Sequence, residues 1–195
     1  MRKHRSAGSV RAAALILLAA SFASQQAVVA MDAPPLKVPF YRQETNGCGP
    51  ASIAMLQGYW SALTASLAPP SESELHASLP VTQNQGTLLS DMRRYLDSKG
   101  YHAFTIQADS TDLTRQISKG RVLIVTLKNK TNTDLHYAVI TGLDRRKVWL
   151  NDPAKRAPGS VDRGKFEESW NRAGNWMLLA VPRVAEAEQR PISSP

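Results

Sequence analysis

Cys48 is the only cysteine in the 195 residues of this chain. No intramolecular disulfide can form, so the fold must stand on its hydrophobic core without covalent staples. The length suits one globular domain with flanking segments. Hydrophobic content of 43% and charged content of 21% describe an ordinary globular protein rather than a disordered or fibrous one. A lone thiol has two usual fates: it is buried and inert, or it is kept for its reactivity.

The residues around Cys48 favour reactivity. Gly49-Pro50 opens the run ASIAMLQGYW, where Ile53, Leu56 and Tyr59/Trp60 recur at helical spacing, and a proline is tolerated in a first helical turn. Cys48 is therefore expected at, or one step before, a helix N-terminus. There the helix dipole and free backbone N–H groups favour the thiolate. Tyr41 to Gly47 reads as a polar loop, and Gly47 and Gly49 on either side of the thiol are expected to leave room for a substrate carbonyl.

Elsewhere the periodicity predicts helices first and strands later. Pro-rich residues 31–40 read as extended. Ser71 to Glu74 offers a capping box for a short helix to about Leu79, and Thr87 to Lys99 is amphipathic and stopped by Gly100. Tyr101 to Gln107 reads as a strand and Asp109 to Lys119 as a helix. Arg121 to Lys128, Leu135 to Leu143, Lys147 to Leu150 and Asn175 to Val181 read as strands, with a short helix at Phe166 to Arg172. This is an α+β pattern.

The N-terminus reads as an export signal over residues 1–30. Arg2-Lys3-His4-Arg5 forms a positive n-region, Ala12 to Ala20 an apolar core, and small residues offer cleavage after Ala23 or Ala30. The apolar run is shorter than the roughly 20 residues of a spanning helix, so cleavage is expected rather than a membrane anchor. A domain over residues 31–182 and a loose polar tail over 183–195 would follow. Those first residues also inflate the charge. The formal net charge is +8, but four basic residues and no acid fall in residues 1–30, leaving 20 basic and 16 acidic groups. That balance, without a dense Lys/Arg run, gives no support for a nucleic-acid partner. Trp60, Trp149, Trp170 and Trp176 read as core or cleft-wall aromatics. No carboxylate spacing suits a metal and no cofactor motif is present.

Thiol chemistry needs a base that also serves as an acid, a group to orient it, and donors for an oxyanion. His136, early in an apolar strand, is the candidate base, although a histidine there is more often a satisfied strand residue. Asp152 ends the next strand before Pro153. If the strands pair through the turn near Arg145, positions whose numbers sum to about 290 face each other, which brings residue 152 near His136. An aspartate that merely starts a turn is the plain reading. Asn151 is a competing orienter, but strand alternation sends it to the opposite face. Gln43, in the polar loop, is a candidate oxyanion donor together with the Cys48 backbone N–H.

Together these segments become recognisable. Tyr41 to Ser52 (YRQETNGCGPAS) resembles the active-site segment of the bacteriocin-processing-peptidase-like family of papain-like cysteine peptidases. Leu135 to Gly142 (LHYAVITG) looks like that family's histidine strand, and Asn151-Asp152-Pro153 like its acid motif. The resemblance runs from about Val38 to Val181. It implies a papain-like fold, with a helical half bearing Cys48 and an antiparallel sheet half bearing His136 and Asp152. It also implies peptide-bond hydrolysis through a thioester, with Gln43 at the oxyanion, Cys48 as nucleophile, His136 as acid–base and Asp152 as its orienter. Members that trim double-glycine leaders are fused to membrane spans and an ATPase. No Gly-x4-Gly-Lys-Ser/Thr loop occurs in this chain, so a stand-alone exported member acting on a peptide or protein is expected. An acyl transferase using the same thioester, and a non-catalytic peptide-binding domain, are the other readings. Cleft walls are expected near Asn84 to Thr87 and Asn129 to Asp134.

Overall fold

Alternating side chains in the second half of the chain build a sheet that is buried on both faces. In the computed structural model, which describes residues 35–44, 47–64, 70, 72–79, 86–131 and 134–183, the chain order is α1 (Cys48–Leu63), α2 (Glu72–Ser78), α3 (Leu89–Ser98), β1 (Tyr101–Gln107), α4 (Ser110–Ser118), β2 (Leu123–Leu127), β3 (His136–Leu143), β4 (Lys147–Asn151), β5 (Gly159–Asp162), α5 (Arg163–Arg172) and β6 (Trp176–Pro182). The expected export signal, its cleavage sites and the tail beyond residue 183 lie outside the described residues, as do Ser71 of the expected capping box, residues 84–85 of one expected cleft wall and residues 132–133 of the other.

The six strands form one antiparallel sheet in the order β1-β6-β2-β3-β4-β5. Ile124, Tyr137, Val139, Leu178 and Ala180 pack with Ile53, Leu56, Met92 and Leu96 of α1 and α3. Their neighbours Leu123, Val125, Ala138, Ile140, Met177 and Leu179 pack with Leu113 of α4 and with Phe166 and Trp170 of α5. Because successive strand residues point to opposite faces, the sheet is sandwiched between two helical layers, and its central strands read as nearly unbroken apolar runs. Each fully buried Leu or Ile contributes about 1.5–3 kcal/mol of transfer free energy, which lets the fold dispense with disulfides.

The elements follow the sequence pattern closely, and the departures have local causes. β1 has the expected bounds, and α4 is held by a capping box in which Asp109 accepts from Thr111 N–H and Asp112 N–H while Asp112 returns a bond to Asp109. α3 starts at Leu89 rather than Thr87, because Leu88 is extended (φ −74°, ψ 144°) and Thr87 is buried. α5 starts three residues earlier than expected, at Arg163, where Asp162 caps it through Lys165 N–H. β5 was not foreseen: its four residues are all exposed, so it carries no apolar alternation, and pairing with β4 alone makes it a strand.

What matters most for function is how the sheet meets the N-terminal segment. Leu36 N–H donates to Thr141 O at 2.8 Å, and the buried Asn151 amide donates to Val38 O and Pro39 O at 3.2 and 3.3 Å. This seam crosses the β3/β4 pair where its register shifts between Ile140 and Gly142. A Cβ at Gly142 would sit 3.1 Å from Pro35 Cα, so glycine is what permits the close approach. Among the described residues no helix is long and apolar enough to cross a membrane.

Candidate active site

Cys48 is the first residue of α1. Gly47 is its N-cap, and no side chain caps the helix. The thiol thus meets the unsatisfied end of the helix, where backbone donors and the dipole favour negative charge. The backbone N–H groups of Gly49 and, from β3, Tyr137, together with the His136 side chain, act on the sulfur as hydrogen-bonding partners that favour the thiolate.

His136 opens β3, and Asp152 follows the last residue of β4. The pairs Val139↔Asn151 and Ile140↔Leu150 keep the register expected from the sequence at this end of the ladder. Residue 152 therefore falls opposite residue 138, and His136 Nε2 lies 2.6 Å from Asp152 Oδ1. With Nε2 engaged, Nδ1 is the ring nitrogen left for the thiol. Asp152 also starts a turn, as the plain reading had it: Oδ1 accepts from Ala154 N–H at 2.9 Å, and its carbonyl accepts from Lys155 N–H at 2.9 Å. One aspartate does both, and the turn fixes the carboxylate that meets the imidazole. Asn151 points away, into the seam with Val38 and Pro39.

The three groups shift one another's acidity. Burial alone would push the Cys48 thiol up, but the hydrogen bond and charge of His136, with the Tyr137 and Gly49 N–H groups, more than offset it. The thiol lies below its ordinary value of 9.0. Burial would lower His136, yet Asp152 and Cys48 outweigh it and raise the imidazole from 6.5 to about 9. Asp152 is likewise pushed up by burial and brought down further by His136, to a net value below 3.8. Both shifts run toward a thiolate beside an imidazolium, the reactive form of such a pair.

Gln43 sits half-buried in the loop before α1, and its N–H donates to Pro153 O at 3.0 Å. The loop is thus fastened to the turn that carries Asp152. A groove of about 350 Å³ opens beside the start of α1, lined in part by Gln43, Gly47, Pro50, Ala51, Ala54 and Leu75.

Residues 35–177 match the model of the Peptidase_C39 like family. The chain belongs to that family. Its fold is similar to a double glycine motif protease from an AMS/PCAT transporter, solved in complex with a leader peptide (TM-score 0.57, 19% identity, 78% of this chain and 96% of that one). It is also similar to a protein described as a C39-like peptidase from Bacillus anthracis (TM-score 0.60, 17% identity, 75% and 96%). A third similar structure is the peptidase domain of Streptococcus ComA, a bifunctional ABC transporter involved in quorum sensing (TM-score 0.56, 19% identity, 74% and 98%). No curated protein matches the chain. The chain is a cysteine-peptidase-type domain with a papain-like α+β fold.

Within this Peptidase_C39 like domain, Gly49 does not do what its sequence position suggested. A Cβ on Gly49 would meet Thr87 Cβ at 2.8 Å and Thr87 Oγ1 at 3.1 Å, and one on Gly47 would meet Glu44 O at 3.2 Å. Protein atoms lie where either Cβ would be, although Gly47 also lines the groove. Glycine is needed so that α1 can start against Thr87, which is 1% exposed and therefore packing rather than cleft wall. Sequence reasoning also missed Tyr137. Its N–H bonds the Cys48 sulfur, while its buried phenol accepts from Leu89 N–H at the start of α3. Burial, with the charges of Cys48 and Asp91, pushes that phenol up. Nothing in an apolar strand marks a residue whose contribution is a backbone donor.

Proposed function

We propose that this chain is an exported cysteine peptidase that hydrolyses peptide bonds through a thioester on Cys48. The observation carrying this reading is that one imidazole, His136, bonds Asp152 through Nε2 and also bonds the chain's only thiol.

The Cys48 thiolate attacks the substrate carbonyl carbon, and the carbonyl electrons move to an oxyanion. Donors at the loop and helix junction, Cys48 N–H and the Gln43 side-chain amide, receive it. As the tetrahedral intermediate collapses, the C–N bond breaks and His136 gives its proton to the leaving amine. Water then attacks the thioester. His136 takes its proton, the C–S bond breaks, and the acid product leaves with the thiolate restored. Asp152 keeps the imidazole oriented and steadies its charge throughout.

The test is reactivity and its pH dependence. Iodoacetamide is expected to alkylate Cys48 faster than glutathione at about pH 6, followed by mass spectrometry of the Cys48 peptide; a rate no faster than glutathione overturns the reading. Hydrolysis should give a bell-shaped kcat/KM profile. Lowering the pH through the depressed thiol value protonates the nucleophile and removes activity. Raising the pH past about 9 strips the His136 proton that the leaving amine needs.

Export rests on the positive segment at Arg2 to Arg5 and the apolar run Ala12 to Ala20. Protein recovered from outside the cytoplasm should begin at Ser24 or Met31 by N-terminal sequencing. Protein retained inside with Met1 intact would overturn export.

A further inference from the structure

Three cations stand around the acid end of the site. Arg42 precedes Gln43 in the loop before α1, and Lys155 and Arg156 follow Asp152-Pro153; all three are exposed. The bond from Gln43 N–H to Pro153 O, at 3.0 Å, brings the two segments edge to edge. Elsewhere many cations are neutralised within the chain, as in Arg93–Asp97, Arg115–Asp112 and Arg172–Glu168. Among the described residues, none of the three has a carboxylate within ion-pair distance. Two acids lie nearby. Asp152 bonds His136 and Ala154 N–H and feels the charge of Lys155 without pairing with it, and Glu44 has a partner of its own.

The chemistry says which part of a substrate passes this rim. Cys48 attacks the carbonyl, and the leaving nitrogen must come within reach of His136, which protonates it. The chain beyond that nitrogen then runs over the groups adjoining His136, namely the Asp152 turn and the loop bonded to it. We propose, resting on the peptidase reading, that Arg42, Lys155 and Arg156 recognise a carboxylate on the leaving side of the scissile bond, either an acidic side chain or the substrate's free C-terminus. Such exposed pairs are individually weak, so selectivity of about fivefold is expected, falling with added salt.

Two measurements test this independently of each other. The active protein is given a random peptide library, and the bonds cut are read by mass spectrometry. Asp, Glu or a free C-terminus should be enriched about fivefold over Lys and Arg within the few residues after the cut. The double variant Arg42→Gln/Lys155→Gln should lose that enrichment while still cleaving. Separately, Cys48→Ala protein is titrated with fluorescein-labelled decapeptide pools carrying Glu, Gln or Lys at fixed positions, each with an amidated or a free C-terminus. Tighter binding of the amidated Glu pool identifies a side-chain carboxylate; tighter binding of the Gln pool only when its C-terminus is free identifies the terminal one. Equal binding of all pools, or selectivity unchanged in the double variant, overturns the proposal. Selective binding by Cys48→Ala without any cleavage by the active protein supports the recognition and overturns the peptidase reading instead.

Discussion

Cys48→Ala and Cys48→Ser are both expected to lower peptide hydrolysis by about 10⁴-fold or more, with the melting temperature within a few degrees of the parent. The loss is large because the nucleophile is the thiolate, and no other thiol exists in the chain to take its place. Serine keeps the size and a hydrogen-bonding group, but an alcohol is a much weaker acid than a thiol. The same His136 partner and the same N–H groups from Gly49 and Tyr137 would leave it protonated. Stability changes little because Cys48 is a small residue at the end of α1, and the packing that holds the helix comes from Ile53, Met55 and Leu56, each 0% exposed. Hydrolysis assays with circular dichroism melts on the same samples decide the matter. A Cys48→Ser protein that melts normally and retains a tenth of the activity would place the chemistry elsewhere.

The parts of this molecule legible from its sequence are those whose signal is local or periodic. Ile53, Leu56 and Tyr59 announce α1 by spacing, and Pro50 marks its start. The paired strands around the Asp144 turn let a register be counted, and that register holds at Val139↔Asn151 even though a shift intervenes before Gly142. Asp152 and His136 meet because strand pairing converts a sequence separation into a distance, so their contact at 2.6 Å was within reach of arithmetic. Thr87 lies far from Gly49 in sequence, and nothing in either residue says that α1 will start against it. Only the packed structure shows that Gly49 accommodates a neighbour rather than a substrate. β5 was invisible for the same reason, since a strand of four exposed residues has no pattern apart from its partner. The Tyr137 N–H could not be seen either, because every residue has a backbone donor and only geometry selects the useful one.

His136→Ala is expected to do two separable things, and their combination distinguishes a working pair from a histidine that merely packs. Peptide hydrolysis should fall by about 10³-fold or more, since the acid that protonates the leaving amine and the base that activates water are lost together. The thiol should also become harder to ionise. In the intact site burial pushes Cys48 up, and His136, by hydrogen bond and charge, is the chief opposing influence; only the Tyr137 and Gly49 N–H groups would remain. With that influence gone, the thiol should titrate at a higher pH than in the parent. Iodoacetamide labelling at about pH 6 should then drop well below the parent's rate, and labelling against pH should show a single rise displaced to the alkaline side. A structural histidine would account for reduced stability but not for that displacement. If Cys48 labels in His136→Ala with the parent's rate and pH profile, the imidazole does not govern the thiol and the catalytic reading of this site fails.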